Sequence, residues 1–121
     1  MALLNLQAIV TNDMARPGTT DPVAVTVSVT RANGMPVNTL TLANFTVGNT
    51  WGPHGIDVTG FLGGIIQIGF GATNAGGLYM FQLVPISGNT WVTWSTYHIV
   101  VVVQAGTDRG QTIAHLTFPR P

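Results

Sequence analysis

The stretch Tyr97–Gln104, which reads YHIVVVVQ, is the longest β-branched run in the chain and restricts the possible folds more than any other segment. Successive side chains of a strand point to opposite faces. One face would carry Tyr97, Ile99, Val101 and Val103, and the other His98, Val100, Val102 and Gln104. A strand that is apolar on both faces is usually central in a sheet and covered on both sides. The sequence therefore predicts a central core strand here.

The rest of the chain has the same β-type patterning. Segments 4–11 and 23–30 alternate apolar and polar residues, which predicts half-buried strands of an antiparallel sheet. Between Val37 and Val47 we expect a short strand, a bend and a second short strand, and segments 78–85 and 111–118 are further strands. Apolar residues do not recur at helical spacing, and Gly and Pro divide the chain at about 8–12-residue intervals. The prediction is an all-β antiparallel sandwich of roughly seven to nine strands, in a single domain over residues 1–121.

Charged residues are scarce. They make up 7% of the chain, as four Arg and four Asp with zero net charge, against about 25% in an average soluble domain. Such a surface has little self-repulsion and favours association. Two interpretations stay open: a subunit packed against partners, or a surface kept soluble by Thr, Asn, Gln, Ser and Gly.

Several classes of function are disfavoured by composition. Four scattered Arg do not form the basic patch that nucleic-acid binding requires. No apolar run approaches the ~20 residues of a membrane helix, and residues 1–7 lack the basic region of a signal peptide. The chain has no Cys, which excludes disulfides, thiolate zinc sites and thiol catalysis.

Two segments resemble the bacterial immunoglobulin-like domains of surface and adhesin proteins. In Val25–Val37 a Val/Thr strand runs into a Gly-x-Pro-Val turn, and a Phe-x-Val strand follows within Leu40–Val47. The resemblance implies an immunoglobulin-like sandwich that binds or forms scaffolds, without enzyme activity. It also implies that Tyr97 is a corner tyrosine whose hydroxyl bonds to nearby backbone.

The histidines are the first candidates for chemistry. His98 and His115 are equidistant from a turn at residues 106–107, so in a hairpin they would be cross-strand neighbours. We interpret them as two imidazoles on a partly wet face, because the third histidine, His54, lies in a distant loop and a zinc site requires more ligands. We expect no metal site and no cofactor.

Enzyme sites are equally unsupported. The Ser residues lie outside a Gly-x-Ser-x-Gly motif, and each Asp lies in its own loop, where turn formation is its usual role. We therefore expect no catalytic residue and no enzyme activity.

Loop aromatics are the strongest indication of binding. Trp51 and His54 lie in the Gly- and Pro-rich loop 48–55, and Trp91 and Trp94 precede the Tyr97 strand. Exposed Trp residues stack on sugars or anchor protein partners. Because Trp91 and Trp94 are three positions apart, they would point to opposite faces of a strand, and at least one is expected in the core.

These patterns together predict a structural or adhesive protein–protein interaction module. We expect it at a cell or virion surface or outside the cell, as a homo-oligomer or part of a larger assembly, without nucleic-acid binding or membrane insertion. The alternative is a carbohydrate-binding module that uses the loop tryptophans.

Overall fold

The strands form where the sequence alternates. The computed structural model describes residues 2–11, 15–63, 66–68, 71–73 and 77–118. Its strands are β1 (Leu4–Thr11), β2 (Val23–Arg31), β3 (Phe45–Trp51), β4 (Ile56–Gly63), β5 (Ile66–Ile68), β6 (Gly71–Thr73), β7 (Leu78–Pro85), β8 (Thr96–Ala105) and β9 (Asp108–Thr117). The described residues contain no α-helix, only a 3-10 turn at Leu42–Asn44. The predicted all-β class is confirmed.

Two antiparallel sheets form a β-sandwich. One has the order β1-β2-β7-β4 and the other β3-β8-β9, while β5 and β6 pair as a separate two-stranded hairpin. The inward side chains of both sheets share one hydrophobic core. Phe45 of β3 contacts Phe81 of β7, with ring centroids 5.0 Å apart in an edge arrangement. Burial of these apolar faces is the main force that holds the two sheets together.

The edges of the two sheets meet where β1 runs along β9. The Arg109 N–H donates to the Ala2 carbonyl at 3.0 Å, and Leu3 forms an isolated parallel bridge with Arg109. Asp108 accepts hydrogen bonds from the Ala2 N–H and from Arg31. The start of the chain is therefore attached to both sheets.

The segment that follows β2 differs from the prediction. The first of the two short strands expected between Val37 and Val47 is absent: residues 37–41 have no strand, and the second expected strand is the start of β3. The backbone of this segment bonds elsewhere, since the Val37 N–H donates to the Val29 carbonyl and the Leu40 N–H to the Tyr79 hydroxyl. Val37 and Leu40 are buried, so the segment fills the core without joining a sheet.

β8 is central in its sheet, as predicted, but only one of its faces is fully covered. The inward residues Tyr97, Ile99, Val101 and Val103 have no exposed surface. On the other side Val100 and Val102 are half-buried, and Ile113 beside them on β9 is 51% exposed. We call this side, formed by His98, Val100, Val102, Ile113 and His115, the outer β8 face. The expectation of cover on both sides is wrong for it, because the second sheet packs on the opposite face.

Candidate binding surface

Three loops meet at one end of the sandwich, and hydrogen bonds hold them together. They are the described part of the β1–β2 loop (15–22), the β3–β4 loop (52–55) and the β7–β8 loop (86–95). The Gly18 N–H donates to the Trp91 carbonyl at 2.7 Å, and the Trp91 N–H donates to the Thr19 carbonyl at 3.0 Å. Backbone bonds of this kind fix the first loop against the third.

Trp91 is the anchor of this end and is 1% exposed. Its ring stacks on Phe118, with centroids 5.0 Å apart. Its indole N–H donates to the Asp21 carbonyl at 2.6 Å. The buried N–H therefore has a hydrogen-bond partner. The predicted binding residue Trp91 is thus a core residue that does not face solvent. This agrees with the expectation that at least one of the two neighbouring tryptophans belongs to the core.

The Tyr97 hydroxyl ties the start of β8 to the loop before it. It accepts a hydrogen bond from the Val92 N–H at 3.2 Å, five residues upstream. The expected bond between this hydroxyl and nearby backbone is therefore present. The hydroxyl also lies 3.2 Å from Nε2 of His54, so it connects the β3–β4 and β7–β8 loops.

His54 is half-buried, and its ring nitrogens face backbone carbonyls. Nδ1 is 2.8 Å from the Gly55 oxygen and Nε2 is 2.7 Å from the Thr90 oxygen. The tautomer decides which of the two ring nitrogens donates to its carbonyl. His54 was predicted as a binding residue, but its polar atoms are occupied within the chain. Its place in the structure is to hold the β3–β4 loop against the β7–β8 loop.

Trp51 and Trp94 are the predicted residues that face solvent. Trp51 is 68% exposed at the end of β3, and Trp94 is 73% exposed just before β8. Ile86 and Val92 of the same end are also about two-fifths exposed, at 41% and 40%. We call these four residues the tryptophan end. Segments 48–55 and 86–95 contain no Asp, Glu, Lys or Arg, so these two segments contribute an uncharged, partly apolar surface. The charged residues of the neighbouring loop 15–22, Arg16 and Asp21, pair with each other.

Trp94 has a strained backbone. Its φ is +62°, in the left-handed region, and among the described residues it is the only non-glycine there. For an L-residue this conformation costs about 1–2 kcal/mol. The Ser95 hydroxyl donates to the Val92 carbonyl across the same turn. Strain of this type concentrates at functional positions, and here it presents a large indole to solvent.

The sequence does not identify Ile86 and Val92 as exposed residues of this end. Each is a single apolar residue next to turn-forming or aromatic neighbours, a pattern that also fits a buried loop anchor. Trp91 is such an anchor in the same loop. The sequence gives only a weak indication that these residues are exposed, because a lone apolar residue in a loop can be either buried or exposed.

The titratable residues near the tryptophan end do not form a catalytic or metal-binding cluster among the described residues. Across the described ranges, no three His, Cys, Asp or Glu residues lie close enough to share a metal ion. Asp21 pairs with Arg16 at 3.1 Å, and this hydrogen bond lowers the pKa of the Asp21 carboxyl. Asp108 is likewise paired, with Arg31 at 3.3 Å. The Asp21 ion pair lies within the β1–β2 loop, and the Asp108 ion pair lies where β1 and β9 meet.

Comparison of the chain with protein-family models, with curated proteins and with solved structures found no match. In the described part of the chain, no helix has the length and apolar character needed to cross a membrane.

Proposed function

We propose that the protein is a non-enzymatic structural or adhesive interaction module that binds protein partners through the tryptophan end. The observation that carries the proposal is the pair of exposed indoles, Trp51 at the end of β3 and Trp94 in the β7–β8 loop. The loops of this end are braced by His54, Trp91 and Tyr97. Tryptophan is enriched among the residues that dominate binding energy at protein interfaces. A braced loop loses little conformational entropy when it binds, which favours affinity.

An immunoglobulin-like topology for the sandwich is part of this proposal. The orders β1-β2-β7-β4 and β3-β8-β9 support it, because a constant-type domain has the fourth and fifth of its seven strands beside the first two. In that assignment β5 and β6 form an insertion between the fourth and fifth strands. The bond between the Tyr97 hydroxyl and the Val92 N–H matches the corner tyrosine of that fold. Domains of this architecture commonly serve as binding or scaffolding units.

We also infer that the module works within an oligomer or larger assembly at a cell or virion surface. Zero net charge and 7% charged residues give two copies little reason to repel each other. The outer β8 face adds partly exposed apolar surface in Val100, Val102 and Ile113. A neighbouring subunit that covered it would remove this surface from water.

Sedimentation velocity over a wide concentration range tests self-association. The wild-type chain is expected to sediment faster as its concentration rises from low micromolar, and the double variant Trp51→Ser, Trp94→Ser to remain more monomeric. Met35→Ser is the matched control, because Met35 is 59% exposed but lies in the turn after β2, at the other end of that strand. A wild-type chain that stays monomeric at every concentration would contradict the assembly proposal.

Carbohydrate binding is the second candidate, favoured by the same two exposed indoles. Flat aromatic faces stack on sugar rings, and residues Trp51 and Trp94 are more than two-thirds exposed. A glycan array probed with the wild-type chain and with Trp51→Ala and Trp94→Ala separates the two functions. Binding that both substitutions abolish supports a carbohydrate module. No binding, or binding that neither substitution changes, removes it.

A further inference from the structure

The outer β8 face brings two histidines into contact. His98 of β8 and His115 of β9 are direct partners in the antiparallel register, and their ring centroids are 4.5 Å apart with the planes inclined by 61°. His115 is exposed and His98 half-buried in the single chain, so an ion in solution can reach the pair wherever no neighbouring subunit covers the outer β8 face. We propose that these two imidazoles bind one divalent transition-metal ion of the copper and nickel class.

The ring nitrogens of the pair are free to act as ligands. Unlike His54, neither His98 nor His115 forms a hydrogen bond within the described part of the chain. Metal binding therefore breaks no hydrogen bond among the residues that the structure describes. A neutral imidazole with an unshared nitrogen lone pair is the ligand that copper, nickel and zinc accept most readily from proteins.

The separation of the rings suits one shared ion. Metal–nitrogen bonds are about 2.1 Å long, so the metal ion lies about 3.2 Å from the centroid of each imidazole that ligates it. Two such imidazoles with centroids 4.5 Å apart subtend about 90° at the ion. This is the angle between neighbouring ligands of a tetragonal or octahedral ion, which favours Cu²⁺ and Ni²⁺ over tetrahedral Zn²⁺. Rotation about side-chain torsions brings the nitrogens into position, and water completes the coordination shell.

The surroundings neither repel nor capture a cation. In the register, His98 also faces Trp51 of β3, and the next row of the outer β8 face is Val100 with Ile113. These neighbours carry no charge. Affinity therefore comes from the two imidazoles, and the order of affinities follows the general order for nitrogen ligands, in which Cu²⁺ exceeds Ni²⁺. The proposal departs from the expectation of no metal site, which interprets His98 and His115 only as two imidazoles on a partly wet face.

Calorimetric titration of a chain without a polyhistidine tag, with CuCl₂ and then NiCl₂, tests the site. We expect one ion per chain, with two coordinated nitrogens in the electron paramagnetic resonance spectrum of the Cu²⁺ complex. His98→Gln and His115→Gln should each weaken binding by more than roughly tenfold, the lower range of the loss seen when only a supporting residue of a metal site is removed. The double variant should lose the site. Bound Cu²⁺ should also quench Trp51 fluorescence, measured as the difference from Trp51→Phe.

The matched control is the double variant Ile9→Gln, Met80→Gln, which places the same new side chains at two exposed strand positions of the other sheet, away from the outer β8 face. It should bind Cu²⁺ as the wild type does. The proposal is overturned if the double histidine variant binds as tightly as the wild type while circular dichroism shows both folded. It is equally overturned if the control pair loses affinity to the same extent, or if the spectrum shows fewer than two nitrogens. Should the double variant not fold, the exposed single variant His115→Gln decides the outcome.

Discussion

Trp94 combines an exposed side chain with a backbone conformation that lowers the stability of the fold. It holds a left-handed backbone at φ +62° while its side chain stays 73% exposed. The indole therefore gains little from burial to offset the backbone cost. Trp91, three positions earlier, has the reverse arrangement, with a buried ring and a satisfied N–H.

Trp94→Gly is expected to stabilise the fold relative to Trp94→Ala by about 1 kcal/mol, because glycine adopts positive φ without the Cβ penalty that alanine retains. Both variants should lose binding equally if the indole provides the contact. Urea unfolding midpoints compare the two variants, and partner or self-association assays follow the binding. Equal stability of the Gly and Ala variants would show that the turn relaxes in the absence of the indole.

Tyr79 is the counterpart of Tyr97 at the other end of the core. Its hydroxyl donates to the Val37 carbonyl at 2.5 Å and accepts from the Leu40 N–H. Burial raises the pKa of the Tyr79 phenol, which the bond from Leu40 opposes only in part. Tyr79 thus anchors segment 37–41, which pairs with no strand.

The contact between β1 and β9 depends on a position without a side chain. A Cβ at Gly110 would overlap the Leu4 carbonyl oxygen and come within 2.5 Å of Leu6 Cδ1. The edge of one sheet can approach the other only because this residue is glycine. Conversely, a Cβ at Gly48 of β3 would meet nothing within 4 Å.

Gly110→Ala is therefore expected to destabilise the protein by about 1–3 kcal/mol, the usual cost of overpacking a close contact. Gly48→Ala is the control, and should be neutral or slightly stabilising because alanine restricts the unfolded chain. Thermal unfolding of both variants provides the comparison. A Gly110→Ala protein as stable as the wild type would mean that β1 detaches from β9 at little cost.

For the whole molecule, the low charge determines how the proposed self-association responds to salt. Association between uncharged, partly apolar surfaces does not depend on attraction between charges, so salt has little to screen. The self-association constant is expected to stay constant or rise between about 0.01 M and 1 M NaCl, a range in which the Debye length falls from about 30 Å to 3 Å.

Sedimentation equilibrium at several salt concentrations measures the self-association constant. The ion pairs Arg16–Asp21 and Arg31–Asp108 lie within the chain, so their screening should affect stability slightly and association hardly at all. A steep loss of association with added salt would instead assign the interface to charged residues.

Strands whose residues alternate can be predicted from the amino-acid sequence. The Val23–Thr30 pattern became β2, and the symmetry of His98 and His115 about residues 106–107 correctly predicted their pairing. The β-class and the centrality of β8 follow from the same period of two. Local patterns of this kind need no knowledge of distant residues, because backbone geometry alone sets which side chains share a face.

Whether a loop residue is exposed or buried depends on contacts between segments that are far apart in the sequence. The Trp91 ring packs on Phe118, and the Asp21 carbonyl, 70 positions away, accepts its N–H. The His54 ring contacts the Thr90 carbonyl, 36 positions away. The cover on a single face of β8 depends in the same way on where the second sheet lies. Contacts between distant segments are set by the packing of the whole core, which a local pattern does not encode.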